Sequence, residues 1–170
     1  MANWATDRLW NELFSFSSEV AGKYVDQFNF SYGEYIIKEL ATRSDIPITD
    51  FLDRMNREYP ENYDGYDDIY LSILAGELRL KEAIPALLNN LRIDSDFICE
   101  RAADALVKID TVDVVREVQD CFLSEPWNFR LFAYDIFGRS SWNSGKSRTG
   151  NNRAENRKKR IMPLRKWEKV

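Results

Sequence analysis

The chain has 170 residues, 44% of them apolar and 14% aromatic, which suits one globular domain with a sizeable core and excludes a disordered chain. It contains no histidine, so a Ser-His-Asp or Cys-His catalytic set and any histidine-ligated zinc site are excluded. The net charge of −4 hides a division: residues 1–138 hold 13 basic and 26 acidic residues, whereas 139–170 hold 11 and 2, an acidic body of −13 with a basic tail of +9.

Leu9, Leu13, Phe16 and Val20 recur at helical spacing, so an amphipathic helix is predicted over about 7–28. A second is predicted near 32–42, around Ile36, Ile37 and Leu40. The third is marked by Ile48, Phe51, Leu52 and Met55, with Pro47 before it and Pro60 closing it. Residues 58–70 interrupt the pattern: Pro60, Asn62 and the Asp64-Gly65 pair are turn formers. Further helices are predicted at 67–79, 81–92, 97–109, 112–123 and 127–138, joined by connections of a few residues. No segment shows the period of two that marks strands.

From residue 67 the chain repeats itself with a step of 31 residues. This shift lays Ala102, Asp104, Leu106 and Lys108 on Ala133, Asp135, Phe137 and Arg139. It also lays Ala83, Ile84, Leu87 and Leu91 on Val114, Val115, Val118 and Phe122, and Gly76 on Val107 and Gly138. A fixed step of this length, carrying two helices per unit, marks an α-solenoid whose units bury their apolar faces against one another.

The segment 74–110, with "GEL" ending at Leu78, "EAIPALL" at 82–88 and "RAADAL" at 101–106, resembles the short HEAT-like repeat of phycobilisome-lyase-type proteins. The resemblance covers about 67–139; Pro85 is typical of the first helix of such repeats, where a missing N–H costs little. It implies an all-α fold: a short right-handed α-α superhelix of about eight helices over 1–139. Residues 1–57 would form degenerate or capping helices and 67–139 the repeats proper. It further implies a scaffold or adaptor, with the second helix of each pair lining a concave surface. A fold of this kind does not name its ligand. The chain looks shorter than the bilin lyases and DNA glycosylases built on such repeats and lacks a basic groove, so neither activity is expected.

On 97–109 a polar row of Glu100, Asp104 and Lys108 runs beside the apolar stripe; one step later Asp135 and Arg139 occupy that row with Leu131, flanked by Arg130 and Tyr134. If these are second helices, the row faces a protein partner; otherwise it is a solvated helix face. A second candidate is the acidic-aromatic segment, where Tyr63, Tyr66, Asp67 and Asp68 stand among further tyrosines and acids that could grip a basic peptide. The competing reading has its tyrosines leaning on neighbouring helices and Asp67 and Asp68 opening a helix. The acids lack the spacing of a calcium loop, so no metal is expected, nor any cofactor. Trp127 and Phe129 are expected in the core. Cys99 and Cys121 match no metal or redox spacing and read as small hydrophobes in a reducing compartment, with a disulfide as the alternative.

Residues 143–160 contain no large apolar residue, and the 140–170 tail is expected to be disordered. It could be a nucleic-acid-binding arm, a partner for the acidic body, a plain solvated tail, or the point where the repeat array has been cut short. No apolar run reaches the roughly 18–20 residues that cross a bilayer. The N-terminus also lacks a basic stretch followed by an apolar run, so no membrane role is expected and the cytoplasm is the expected compartment. The expectation is a non-catalytic module for a protein partner whose identity the residues do not disclose, with nucleic-acid binding through the tail as the alternative.

Overall fold

A computed structural model describes residues 3–57 and 66–140. Among the described residues there are eight α-helices and no strand: α1 (Thr6–Glu19), α2 (Phe30–Leu40), α3 (Ile48–Met55), α4 (Asp67–Leu78), α5 (Ile84–Asn90), α6 (Asp96–Ile109), α7 (Val112–Cys121) and α8 (Trp127–Arg139). The expected tail lies outside the described residues, as does Tyr63.

Seven of the eight helices fall close to their predicted places, because their apolar residues recur at helical spacing between turn-forming connections. The exception is the first. It was expected to run to about residue 28 and stops at Glu19. Its apolar spacing ends at the buried Val20, and the chain then turns through Gly22 at a φ of +74°, a conformation glycine adopts without strain. A 3-10 turn at Val25–Gln27 follows, held by the Tyr24 amide donating to Gln27 Oε1 at 3.0 Å. Pro85 sits in the opening turn of α5, where it leaves no ladder bond unmade.

Two helix ends match across the 31-residue step. Arg79 and Asp110, one step apart, end α4 and α6 with φ of 51° and 43°, the only non-glycine residues with positive φ among those described. After α4, the Leu80 amide donates back to the Ala75 carbonyl at 3.0 Å, so the last turn closes with its carbonyls satisfied. Of the residues that the step aligns, Ile84 and Val115, Leu87 and Val118, and Ala102 and Ala133 are buried alike, whereas Leu91 and Leu106 are buried and their counterparts Phe122 and Phe137 only half-buried.

Packing follows a regular order. Helix α2 lies against α4, α4 against α6, and α6 against α8, while α3, α5 and α7 each pack on the helix that follows them. Helix α1 covers α2 and touches α4. Because α4 has neighbours on both sides, it is buried nearly all round, including Tyr70, Leu71, Leu74, Ala75 and Gly76. Two glycines set the spacing. A Cβ on Gly33 of α2 would meet the Tyr70 ring at 2.4 Å, and one on Gly76 of α4 would meet the Ala105 Cα at 2.8 Å. One apolar cluster runs from Leu9 to Ile136. Each fully buried leucine or phenylalanine in it contributes about 1.5–3 kcal/mol.

An aromatic group fastens α1, α2, α4 and α6 together. The Phe30 ring stacks on Tyr70 at 5.3 Å and reaches Phe97 of α6 at 5.4 Å. Phe28 meets Tyr66 edge-on at 4.9 Å, and Phe16 meets Tyr32 at the same separation. Cys99 is buried and Cys121 half-buried, and both are free thiols. Among the described residues, no helix is long and apolar enough to cross a membrane, and no group of acids and cysteines could hold a metal ion.

Candidate partner-binding groove

The adjacent helices α2, α4 and α6 line a groove of about 180 Å³. Ile37, Ile73 and Ala105 form its apolar floor. Six charged side chains ring it, three of each sign: Glu34, Glu77 and Asp104 against Lys38, Arg101 and Lys108. Their placement follows from helix geometry. Glu34 and Lys38 are one turn apart on α2, and Arg101, Asp104 and Lys108 fall on one face of α6 at spacings of three and four.

Ion pairs carry this charged row across the helices. Lys108 Nζ of α6 lies 2.5 Å from Glu77 Oε1 of α4. Arg139 Nη1 of α8 lies 2.6 Å from Asp104 of α6 and 2.7 Å from Asp135 of its own helix. The two carboxylates, Asp135 first, hold the Arg139 guanidinium more firmly protonated than usual. Arg101 is held less tightly. Its guanidinium is 4.0 Å from Asp104 and 5.1 Å from the centre of the Phe97 ring, and its buried Nε has no hydrogen-bond partner.

Of the predicted row, the fold brings together Asp104, Lys108, Asp135 and Arg139. Glu100, one turn before Asp104 on the same face of α6, stays outside the groove and lines a neighbouring depression against α8 with Asp96, Ala103, Leu131, Phe132 and Asp135. Arg130 is half-buried and its Nε is unbonded, whereas Tyr134 is 66% exposed and touches only the edge of Phe122, at 5.3 Å, among its ring contacts. Glu34, Lys38, Glu77 and Arg101 were not predicted. A signal for Glu77 was present, since the 31-residue step places it beneath Lys108 and Arg139.

The acidic-aromatic candidate is differently placed. Tyr66 is only 8% exposed: its amide donates to Ser17 Oγ at 3.0 Å and its hydroxyl donates to the Lys23 carbonyl. Burial, reinforced by Asp26, raises its phenol above the usual range. Asp67 is also buried, accepting from Arg57 Nη2 at 3.3 Å, and with Asp68 it occupies the first turn of α4. Tyr66 and Asp67 therefore face inward, joining α4 to α1 and α3, and offer no docking surface. Trp127 departs the other way. Phe129 is fully buried as expected, but Trp127 is 69% exposed, because two residues along a helix is most of the way to its opposite face.

Away from the groove, Arg92 at the end of α5 clasps Glu125 with two hydrogen bonds of 3.0 and 2.6 Å and donates a third to Asn89. These hydrogen bonds hold the Glu125 carboxyl below its usual range and tie α5 to the turn before α8. Compared with family models, with curated proteins and with solved structures, the chain matches none.

Proposed function

We propose that this chain is a non-catalytic protein-binding module, a short HEAT-like right-handed superhelix that holds a partner protein along the groove over α2, α4 and α6. The observation that carries the reading is the ring of three acids and three bases around an apolar floor. Such a lining suits a peptide or helix presenting apolar residues flanked by both charges, with specificity coming from charge placement and affinity from the floor. The side-by-side order of α2, α4, α6 and α8 and the recurring left-handed caps at Arg79 and Asp110 favour the repeat reading. The ion pairs that bridge successive helices would keep the charges in position before a partner arrives.

The test is a pull-down from native cells under gentle conditions, comparing the wild type with Lys108→Glu and with the control Arg116→Glu on α7. A stoichiometric protein retained by the wild type and the control but lost by Lys108→Glu supports the reading. Recovery of no protein partner, or one indifferent to Lys108, counts against it.

The charge of +9 over 139–170 favours a second reading, nucleic-acid binding through the tail. The −13 body opposes phosphate elsewhere. Removing 140–170 and measuring salt-dependent DNA and RNA binding separates the two; unchanged binding rejects the tail as the site.

A further inference from the structure

The charges around the groove are unevenly paired. Lys108 and Glu77 neutralise one another at 2.5 Å, and Asp104 is bonded by Arg139 at 2.6 Å. Glu34 and Lys38, both lining the groove from α2, enter no ion pair among the described residues. Arg101 has only Asp104, whose carboxylate stands 4.0 Å from Nη1, beyond hydrogen-bond range and already bonded elsewhere. Two cations, Lys38 and Arg101, are therefore left against one acid, Glu34.

Arg101 is also set in place for a further anion. It is half-buried, with its guanidinium 5.1 Å from the centre of the Phe97 ring and 5.9 Å from that of Phe30. Its buried Nε has no hydrogen-bond partner. A guanidinium partly withdrawn from water with donors unfilled is stabilised by another carboxylate, the group whose geometry its planar fork matches. The rings hold that fork beforehand, which lowers the cost of ordering it on binding. The space is small. At about 180 Å³ it falls below the roughly 300–1,000 Å³ of a small-molecule pocket, so it suits a side chain of a protein partner.

We propose that the anchor of the partner is a single carboxylate, a glutamate or aspartate side chain that binds between Arg101 and Lys38. Its methylene stem, or an apolar neighbour in the partner, covers Ile37, Ile73 and Ala105 on the floor. The proposal rests on the protein-binding reading of the groove and names the residue type that the groove selects. A carboxylate brings one negative charge, which matches a surplus of one cation. A phosphate brings closer to two, into a body that already carries −13.

The experiment pans a phage-displayed library of random peptides on the full chain and measures the recovered sequences as synthetic peptides by fluorescence anisotropy. The expected binders share an acid next to an apolar residue. Replacing that acid by its amide should weaken binding about tenfold, as should Arg101→Gln and Lys38→Gln, whereas Glu34→Gln should strengthen it. Opposite signs from neighbouring positions do not arise from a loosened fold, and Lys38 is exposed, so its replacement tests the site even if Arg101→Gln lowers Tm. Peptides that Lys108→Glu abolishes but that need no acid overturn this proposal and leave the protein-binding reading standing. So do peptides indifferent to both Arg101→Gln and Lys38→Gln, or ones that bind more tightly when phosphoserine replaces the acid. Recovery of no peptide sensitive to Lys108→Glu overturns both.

Discussion

The Cα of Ala105 in α6 lies 2.8 Å from where a Cβ on Gly76 of α4 would stand, so the two helices touch backbone to backbone. The neighbouring atom is main chain and cannot swing aside. Gly76→Ala is therefore expected to destabilise the fold by about 1–3 kcal/mol through overpacking, despite the helix preference of alanine. Gly138→Ala, with open space around it, should stabilise by about 0.5–1 kcal/mol. Urea unfolding at constant m-value would resolve the opposite signs.

Tyr70 is fully buried and its hydroxyl has no hydrogen-bond partner. Its ring supplies the packing against Phe30 and Gly33, while the hydroxyl is desolvated without return. Tyr70→Phe should be neutral or stabilising by up to about 1 kcal/mol, whereas Tyr70→Ala should cost about 3–5 kcal/mol.

The same burial gives an alkaline signature. It pushes the Tyr70 phenol well above its ordinary 10.0, so above that pH the unfolded chain ionises this group while the folded chain does not. Stability is complete below pH 10.0 and falls as pH rises beyond it. Chemical denaturation between pH 8 and 11 should show a shallower decline in Tyr70→Phe. Some slope should remain, because the Tyr32 and Tyr66 phenols are raised as well, Tyr32 by its bond to Glu12 and Tyr66 by burial.

At the acid end, Asp50 is the group to watch. Burial pushes its carboxyl up, but bonds from Arg54 at 2.9 Å and from the Trp10 indole at 2.6 Å outweigh this and hold it below its ordinary 3.8. The stabilisation is present above pH 3.8 and is lost as pH falls through the lower folded value. Asp50→Asn should cost about 1 kcal/mol at neutral pH, a modest figure because the carboxylate is half-exposed. It should also flatten the dependence of Tm between pH 5 and 2.

The cross-helix ion pairs are exposed, and exposure limits their worth. Lys108→Ala and Arg139→Ala should each cost less than about 1 kcal/mol, with the cost shrinking further in high salt. Leu87→Ala in the core should cost about 2–5 kcal/mol and respond little to salt. Thermal melts in low and high salt would show the contrast, and leave the charged row free for binding tests without loss of fold.

Helix identity was legible in the residues because it depends on local spacing. Ile48, Phe51, Leu52 and Met55 mark α3 without reference to anything distant, and the 31-residue step is carried by identities such as Ala102 with Ala133. What a periodicity cannot carry is the distance and angle at which two helices meet. For Tyr66 and Asp67 the sequence left a docking surface and an inward packing both open, and the packing of α4 on α1 and α3 decided for the second. Trp127 looked like core until the helix turned it outward.

The groove shows the same division. Asp104 and Lys108 could be placed on one face of α6 from their spacing alone. Their neighbours Glu34, Lys38 and Glu77 belong to helices remote in the chain, and only the close approach allowed by Gly33 and Gly76 brings them to one rim. The amino-acid sequence by itself determined the helices, most of their ends (that of α1 excepted) and the repeating step, all of which follow from interactions within a few residues. The tertiary structure alone decided which charges meet and which faces remain open, because those depend on how near one backbone can come to another.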